Sequence, residues 1–133
     1  MTESELKSIR ELAIRLNRVN DEIERLRSYV QRTSPSLDGM PHGGQHDDAM
    51  ADYAAEVERW LDDRIELAGK IMEEIKSLSD EIVELKKPTA DIIWMYYAEG
   101  KSIRQIANIL HYSRRQVYNK WNEGKRKLIK TLH

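Results

Sequence analysis

The chain has 133 residues, 34% of them charged and only 7% aromatic, with neither Phe nor Cys. That length allows one ordinary domain, or a small domain with an extension, and the charge suits long solvent-facing helices better than a thick core. The missing thiols exclude disulfides, thiolate metal sites and cysteine nucleophiles, and no 18-residue apolar run or signal-peptide pattern occurs, so a soluble, cytoplasmic protein without a membrane partner is expected. The net charge of −1 conceals a split. Residues 1–87 carry 13 Lys and Arg against 20 Asp and Glu, whereas residues 88–133 carry 9 against 3. A basic end on an acidic body is the distribution expected of a chain with one nucleic-acid-binding end.

Thr2 and Glu5 have capping-box spacing, and Ile9, Leu12, Leu16, Val19, Ile23, Leu26 and Val30 follow at intervals of three and four. This predicts a helix over 3–32 that must bury a narrow seam against another helix. Pro35, Gly39, Pro41, Gly43 and Gly44 exclude regular structure from the next stretch, which reads as a hairpin loop over 33–47. It is longer than closing a hairpin requires. His42, His46, Asp47 and Asp48 are potential ligands, but glycines separate the two His, so no metal site is expected and one of the Asp is expected to cap the next helix.

From about Asp48 to Leu85 a second seam runs through Met50, Ala54, Val57, Leu61, Arg64, Ala68, Ile71, Ile75, Leu78, Ile82 and Leu85. Arg64 must snorkel or meet an acid, Trp60 reads as core or interface, and Ala54, Ala68 and Gly69 are expected to let a neighbouring helix approach closely. Pro88 cannot continue a helix but can open one, so the domain boundary is placed between 1–87, an association region, and 88–133. A third helix runs from Pro88 or Ala90 to Glu99, with Gly100 as its stop.

Ser102 with Gln105, and Ser113 with Gln116, mark two further helix starts eleven residues apart, each with a hydroxyl cap three residues before a Gln. Ile103, Ile106, Ala107 and Leu110 form one apolar stripe, and Val117, Trp121, Gly124 and Leu128 a second. Two short amphipathic helices joined by a three-residue turn predict a helix-turn-helix, with Gly124 allowing close packing. The expected fold is all-α: a long antiparallel, coiled-coil-like hairpin followed by a three-helix module. On the second helix of the pair the outer face carries Arg115, Asn119, Asn122 and Arg126, with Tyr118 beside them. Arg can pair with guanine and Asn with adenine in the major groove. Arg115 and Asn119 are expected to carry base recognition, and Lys125 and Lys130 to bind phosphates without regard to sequence.

The run Tyr96-Tyr97-Ala98-Glu99-Gly100 into Lys101-Ser102-Ile103, then Gln105-Ile106-Ala107, Tyr112-Ser113-Arg114-Arg115-Gln116-Val117-Tyr118 and Lys127-Leu128, resembles the C-terminal helix-turn-helix of sigma factors. Together with the charged helices upstream, the chain is similar to phage and prophage late-gene or packaging activators of the RinA and ArpU type. The resemblance implies a transcription regulator whose Arg114, Arg115, Tyr118 and Asn119 face double-stranded DNA. The full DNA-binding set is then Ser113, Arg114, Arg115, Gln116, Tyr118, Asn119, Asn122 and Arg126. Two positions depart from the pattern. His111 occupies the turn position usually held by Gly, which calls for a left-handed backbone. Lys120 occupies a usually apolar site, where neighbouring Trp121 is expected to supply the packing.

The alternative function is a module that docks on RNA polymerase or another protein without DNA specificity of its own. Nothing in the sequence assembles a catalytic constellation, and no cofactor or small-molecule substrate is expected. Finally, the seam from Ile9 to Val30 is shorter than that from Met50 to Leu85. If the first helix covers the part nearest the loop, Ile75, Leu78, Ile82 and Leu85 stay bare; either the module from Pro88 folds back onto them or two chains bring these segments together, and the homodimer is the expected arrangement.

Overall fold

The computed structural model describes residues 1–33 and 44–130. The side chains of His42, His46, Asp47 and Asp48, where no metal site is expected and an Asp cap is, and the side chain of Lys130 lie outside what it describes. The described chain is all-α: α1 (Glu3–Thr33), α2 (Gly44–Ile82), α3 (Thr89–Tyr97), α4 (Ile103–Leu110) and α5 (Arg114–Lys130). Helix α2 starts at Gly44 rather than Asp48, because Gly is acceptable at a helix N-terminus even though it weakens a helix interior. It ends at Ile82 rather than Leu85. Glu84 N–H bonds to Glu81 O and Leu85 N–H to Ile82 O, so the last turn tightens to three-residue spacing. Among the described residues no helix is long and apolar enough to cross a membrane.

Two compact units result, and their division does not fall at Pro88. One unit joins Met1–Arg15 to Gly69–His133, and the other is Leu16–Ala68. The first contains the end of α2, the start of α1 and all three short helices. Its larger core consists of Met1, Leu6, Ile9, Leu78, Leu85, Ile93, Tyr97 and Leu128, with Ile75, Ile82 and Trp121 packed against it. The stripe expected to lie bare is therefore covered within one chain. Leu78 is 0% exposed and Leu85 9%. Met1 and Leu6, which precede the regular seam of α1, reach the end of α2, and α3 and α5 close over it. The ground for expecting a homodimer is removed.

Polar contacts set the register in this unit. The Met1 amine donates to Glu81 at 3.2 Å and to Leu128 O at 3.2 Å. Seven residues further along α1, Ser8 Oγ donates to Glu74 Oε1 at 3.4 Å, so the partner on α2 has moved back by seven, as antiparallel helices require. Ala13 is buried in α1, whereas Leu12 beside it is only half-buried, a drift expected when a helix of 3.6 residues per turn carries a strict seven-residue pattern. Gly69 is exposed and a Cβ there would meet nothing within 4 Å, so it does not serve the close approach expected of it.

In the second unit Val19, Ile23 and Leu26 of α1 are buried, and Val57, Trp60, Leu61, Arg64 and Leu67 of α2 are half-buried. The rings of Tyr29 and Tyr53 stand 4.7 Å apart at 44°. Their hydroxyl contact holds the Tyr53 phenol above the usual tyrosine range.

Candidate nucleic-acid interface

The short helices pack around Ile92, Ile106, Ala107 and Val117, all buried, with Met95, Ile103, Leu110 and Trp121 at the edge. This arrangement follows from local signals. Helix α3 stops where Ala98 N–H and Glu99 N–H both bond to Trp94 O, and Gly100 takes the left-handed backbone (φ 71°) that turns the chain towards α4. Ser102 then caps α4: its Oγ accepts from Gln105 N–H at 3.1 Å, and its own N–H donates to Gln105 Oε1 at 2.9 Å. Ser113 does the same for α5, accepting from Gln116 N–H at 3.1 Å and donating from its N–H to Gln116 Oε1 at 3.0 Å. Both capping boxes form as their spacing requires. The Ser113 hydroxyl and the Gln116 carboxamide oxygen, both assigned to DNA from sequence, are thereby already used in starting α5.

Between these helices His111 has φ 60° and ψ 39°, the left-handed conformation that its turn position calls for. Its N–H and that of Tyr112 both reach Ala107 O and close α4. The His111 side chain is exposed. An L residue with a side chain pays for this backbone about the 1 kcal/mol that separates αL from αR, and Gly does not. His111→Gly is expected to raise the stability of this unit by roughly 0.5–1 kcal/mol, read as a higher urea midpoint. A lower midpoint would show that the imidazole makes a contact the fold needs.

Gly124 is where α5 crosses α3. A Cβ built there would stand 2.7 Å from Ile93 Cγ1 and 2.8 Å from Thr89 Cγ2. Ile93 is fully buried and cannot withdraw freely. Helix propensity favours Ala over Gly by about 1 kcal/mol, but overpacking a filled core costs about 1–3 kcal/mol. Gly124→Ala is therefore expected to destabilise the unit by about 1–2 kcal/mol in denaturant titration, despite making a better helix. Stabilisation would mean that the two helices can separate at no cost.

With Val117, Gly124 and Leu128 buried and Trp121 half-buried, the opposite side of α5 is turned outward. Arg115, Asn119 and Arg126 are exposed and Asn122 is half-exposed; at spacings of four, three and four they share one face. Arg114 and Tyr118 are exposed along its margin, Tyr118 at 52%. The cations of this region fall into two groups. Lys101 pairs with Glu99, Lys125 with Glu3 at 2.8 Å, and Lys127 with Glu123 at 3.3 Å. Arg104, Arg114, Arg115 and Arg126 are exposed and, like half-buried Lys120, make no ion pair among the described residues.

Lys125 does not fit the role of a freely offered phosphate contact. Its amine lies 5.0 Å from the Trp121 ring centroid and hydrogen-bonds Glu3, whose carboxyl is thereby held below the usual range. It ties α5 to the start of α1.

Trp121 supplies packing beside half-buried Lys120, as expected, and belongs to a continuous aromatic series. Tyr118 lies 5.6 Å from it and Tyr96 5.1 Å. Tyr96 meets Tyr97 edge-on at 4.9 Å, and burial pushes the Tyr97 phenol up to about 12. The far side of Tyr96 is covered by Arg10, its guanidinium 3.8 Å from the ring centroid. Arg10 Nη1 also donates to Tyr96 O at 2.5 Å and Lys101 O at 2.9 Å, carbonyls at the end of α3 and the start of the connection to α4. Sequence reading missed this residue. Its acceptors are backbone atoms, which carry no sequence signature.

Among the described residues no three His, Asp or Glu side chains come together as a metal site. What α5 offers is a convex face of guanidinium and carboxamide groups, which can bind phosphates and base edges. No family model, curated protein or solved structure matches the chain.

Proposed function

We propose that the chain is a sequence-specific DNA-binding transcription regulator of the phage late-gene activator type that its motifs resemble. In this reading α4 and α5 form a helix-turn-helix braced by α3, and α1 with α2 forms the antiparallel hairpin that holds it. The α5 face enters the major groove, with Arg115 and Asn119 on base edges and Arg104, Arg114 and Arg126 on phosphates. The observation that carries the reading is the separation of charge. Lys101, Lys125 and Lys127 are matched with acids, while the arginines on and beside the α5 face are left for an external anion.

One observation favours a second reading. Ile109 on α4 is 46% exposed and Tyr112 in the turn 37%, so this side offers apolar surface to a protein such as RNA polymerase. Affinity for duplex DNA, measured against salt, separates the two. A groove-bound α5 with three phosphate contacts predicts a log-log slope of roughly −3, whereas a protein-docking module predicts weak, sequence-indifferent DNA binding.

A further inference from the structure

Tyr118 is an apolar surface placed among hydrogen-bonding groups. It follows Arg115 by three residues and precedes Asn119 by one and Asn122 by four, and its side is 52% exposed. A free aromatic side chain would fold down to bury its ring. This one already rests on Trp121, whose own ring is held by Tyr96 on one side and approached by the Lys125 amine, while Arg10 backs Tyr96. About half of Tyr118 stays exposed, and the packing beneath it reaches back to α1.

On the edges of base pairs in the major groove, hydrogen-bonding atoms are available for Arg and Asn, and the one apolar feature is the 5-methyl group of thymine. We propose that Tyr118 reads a thymine methyl in the major groove, beside the base pairs contacted by Arg115 and Asn119. The proposal rests on the DNA-binding reading above and adds to it the identity of one base and the group by which it is recognised.

The full chain is used to select duplexes from a random-sequence pool, and each thymine of the selected duplex is then replaced singly by deoxyuridine, which removes only the methyl. The wild-type chain is expected to lose about fourfold in affinity at one position, the ratio that follows from roughly 0.8 kcal/mol for a buried methyl-sized group. Tyr118→Phe should keep that sensitivity, and Tyr118→Ala should bind thymine and uracil duplexes equally while still preferring the selected sequence. Three results would overturn the proposal while leaving DNA binding in place: no sensitive thymine in the selected duplex, sensitivity that persists in Tyr118→Ala, or an equal loss in Tyr118→Phe and Tyr118→Ala on every sequence. The last would assign the phenol hydroxyl to a phosphate. If no duplex is enriched and binding ignores salt, the DNA-binding reading fails and the proposal with it.

Discussion

Leu78→Glu is expected to unfold the unit that carries α3, α4 and α5. Leu78 is fully buried among Met1, Leu6, Ile9, Ile93, Tyr97 and Leu128. Removing a buried leucine costs about 2–5 kcal/mol, and a carboxylate put in its place must be desolvated without a partner or take up a proton. The combined loss, on the order of 4 kcal/mol or more, is comparable with the whole stability of a small domain. Circular dichroism should show the cooperative melt of the wild-type chain lost or shifted far down. A variant that keeps the wild-type melt but halves its mass in light scattering would contradict the packing and restore the homodimer expected from the seam lengths.

The second large effect is expected at Arg10. One guanidinium hydrogen-bonds two carbonyls and covers the Tyr96 ring. Hydrogen bonds to a charged group contribute about 1.5–3 kcal/mol, and the cation over the ring about 0.5–1 kcal/mol more. Arg10→Ala should therefore lower stability by about 3 kcal/mol in urea titration. Arg10→Lys should recover only a small part, since an ammonium cannot donate to both carbonyls and at the same time place a planar cation over the ring. Because Arg10 backs the aromatic series that ends at Tyr118, the function proposed above predicts that Arg10→Ala also weakens affinity for duplex DNA although Arg10 lies on α1. A variant as stable as wild type would show that these contacts do not hold α1 to the end of α3.

These two residues show where sequence reading succeeds and where it stops. Leu78 belongs to a visible three-and-four pattern, so its burial was legible. Which cover it would have was not, since the pattern allowed either the module from Pro88 or a second chain, and Met1 and Leu6, which complete the cover, precede the regular part of the α1 pattern. The caps at Ser102 and Ser113, the left-handed His111, the stop at Gly100 and the close crossing at Gly124 all came from local rules, and each has the expected geometry. Arg10 carried no signal beyond one more charge between apolar positions of a helix, and Lys125 was expected on a phosphate. Their partners, two carbonyls, a ring and Glu3, are set by tertiary packing, which leaves no trace in spacing.

The same limit applies to the α5 face. Helical period placed Arg115, Asn119, Asn122 and Arg126 together on the outside, and they are there. The sequence did not distinguish cations matched by acids from those left open, since that depends on where Glu3, Glu99 and Glu123 fall in the fold. This is why Lys125 passes from phosphate contact to brace.

In the proposed function α5 reads base pairs through Arg115. This is tested most directly by the ratio of affinities for the selected duplex and for random duplex of equal length, at one salt concentration, in the wild-type chain and in Arg115→Ala. A lost guanidinium-to-guanine contact is worth about 1–3 kcal/mol of discrimination, so the ratio should fall by about five- to a hundredfold while affinity for random duplex changes little. Equal losses on both duplexes would contradict base reading by Arg115 and leave it a phosphate contact.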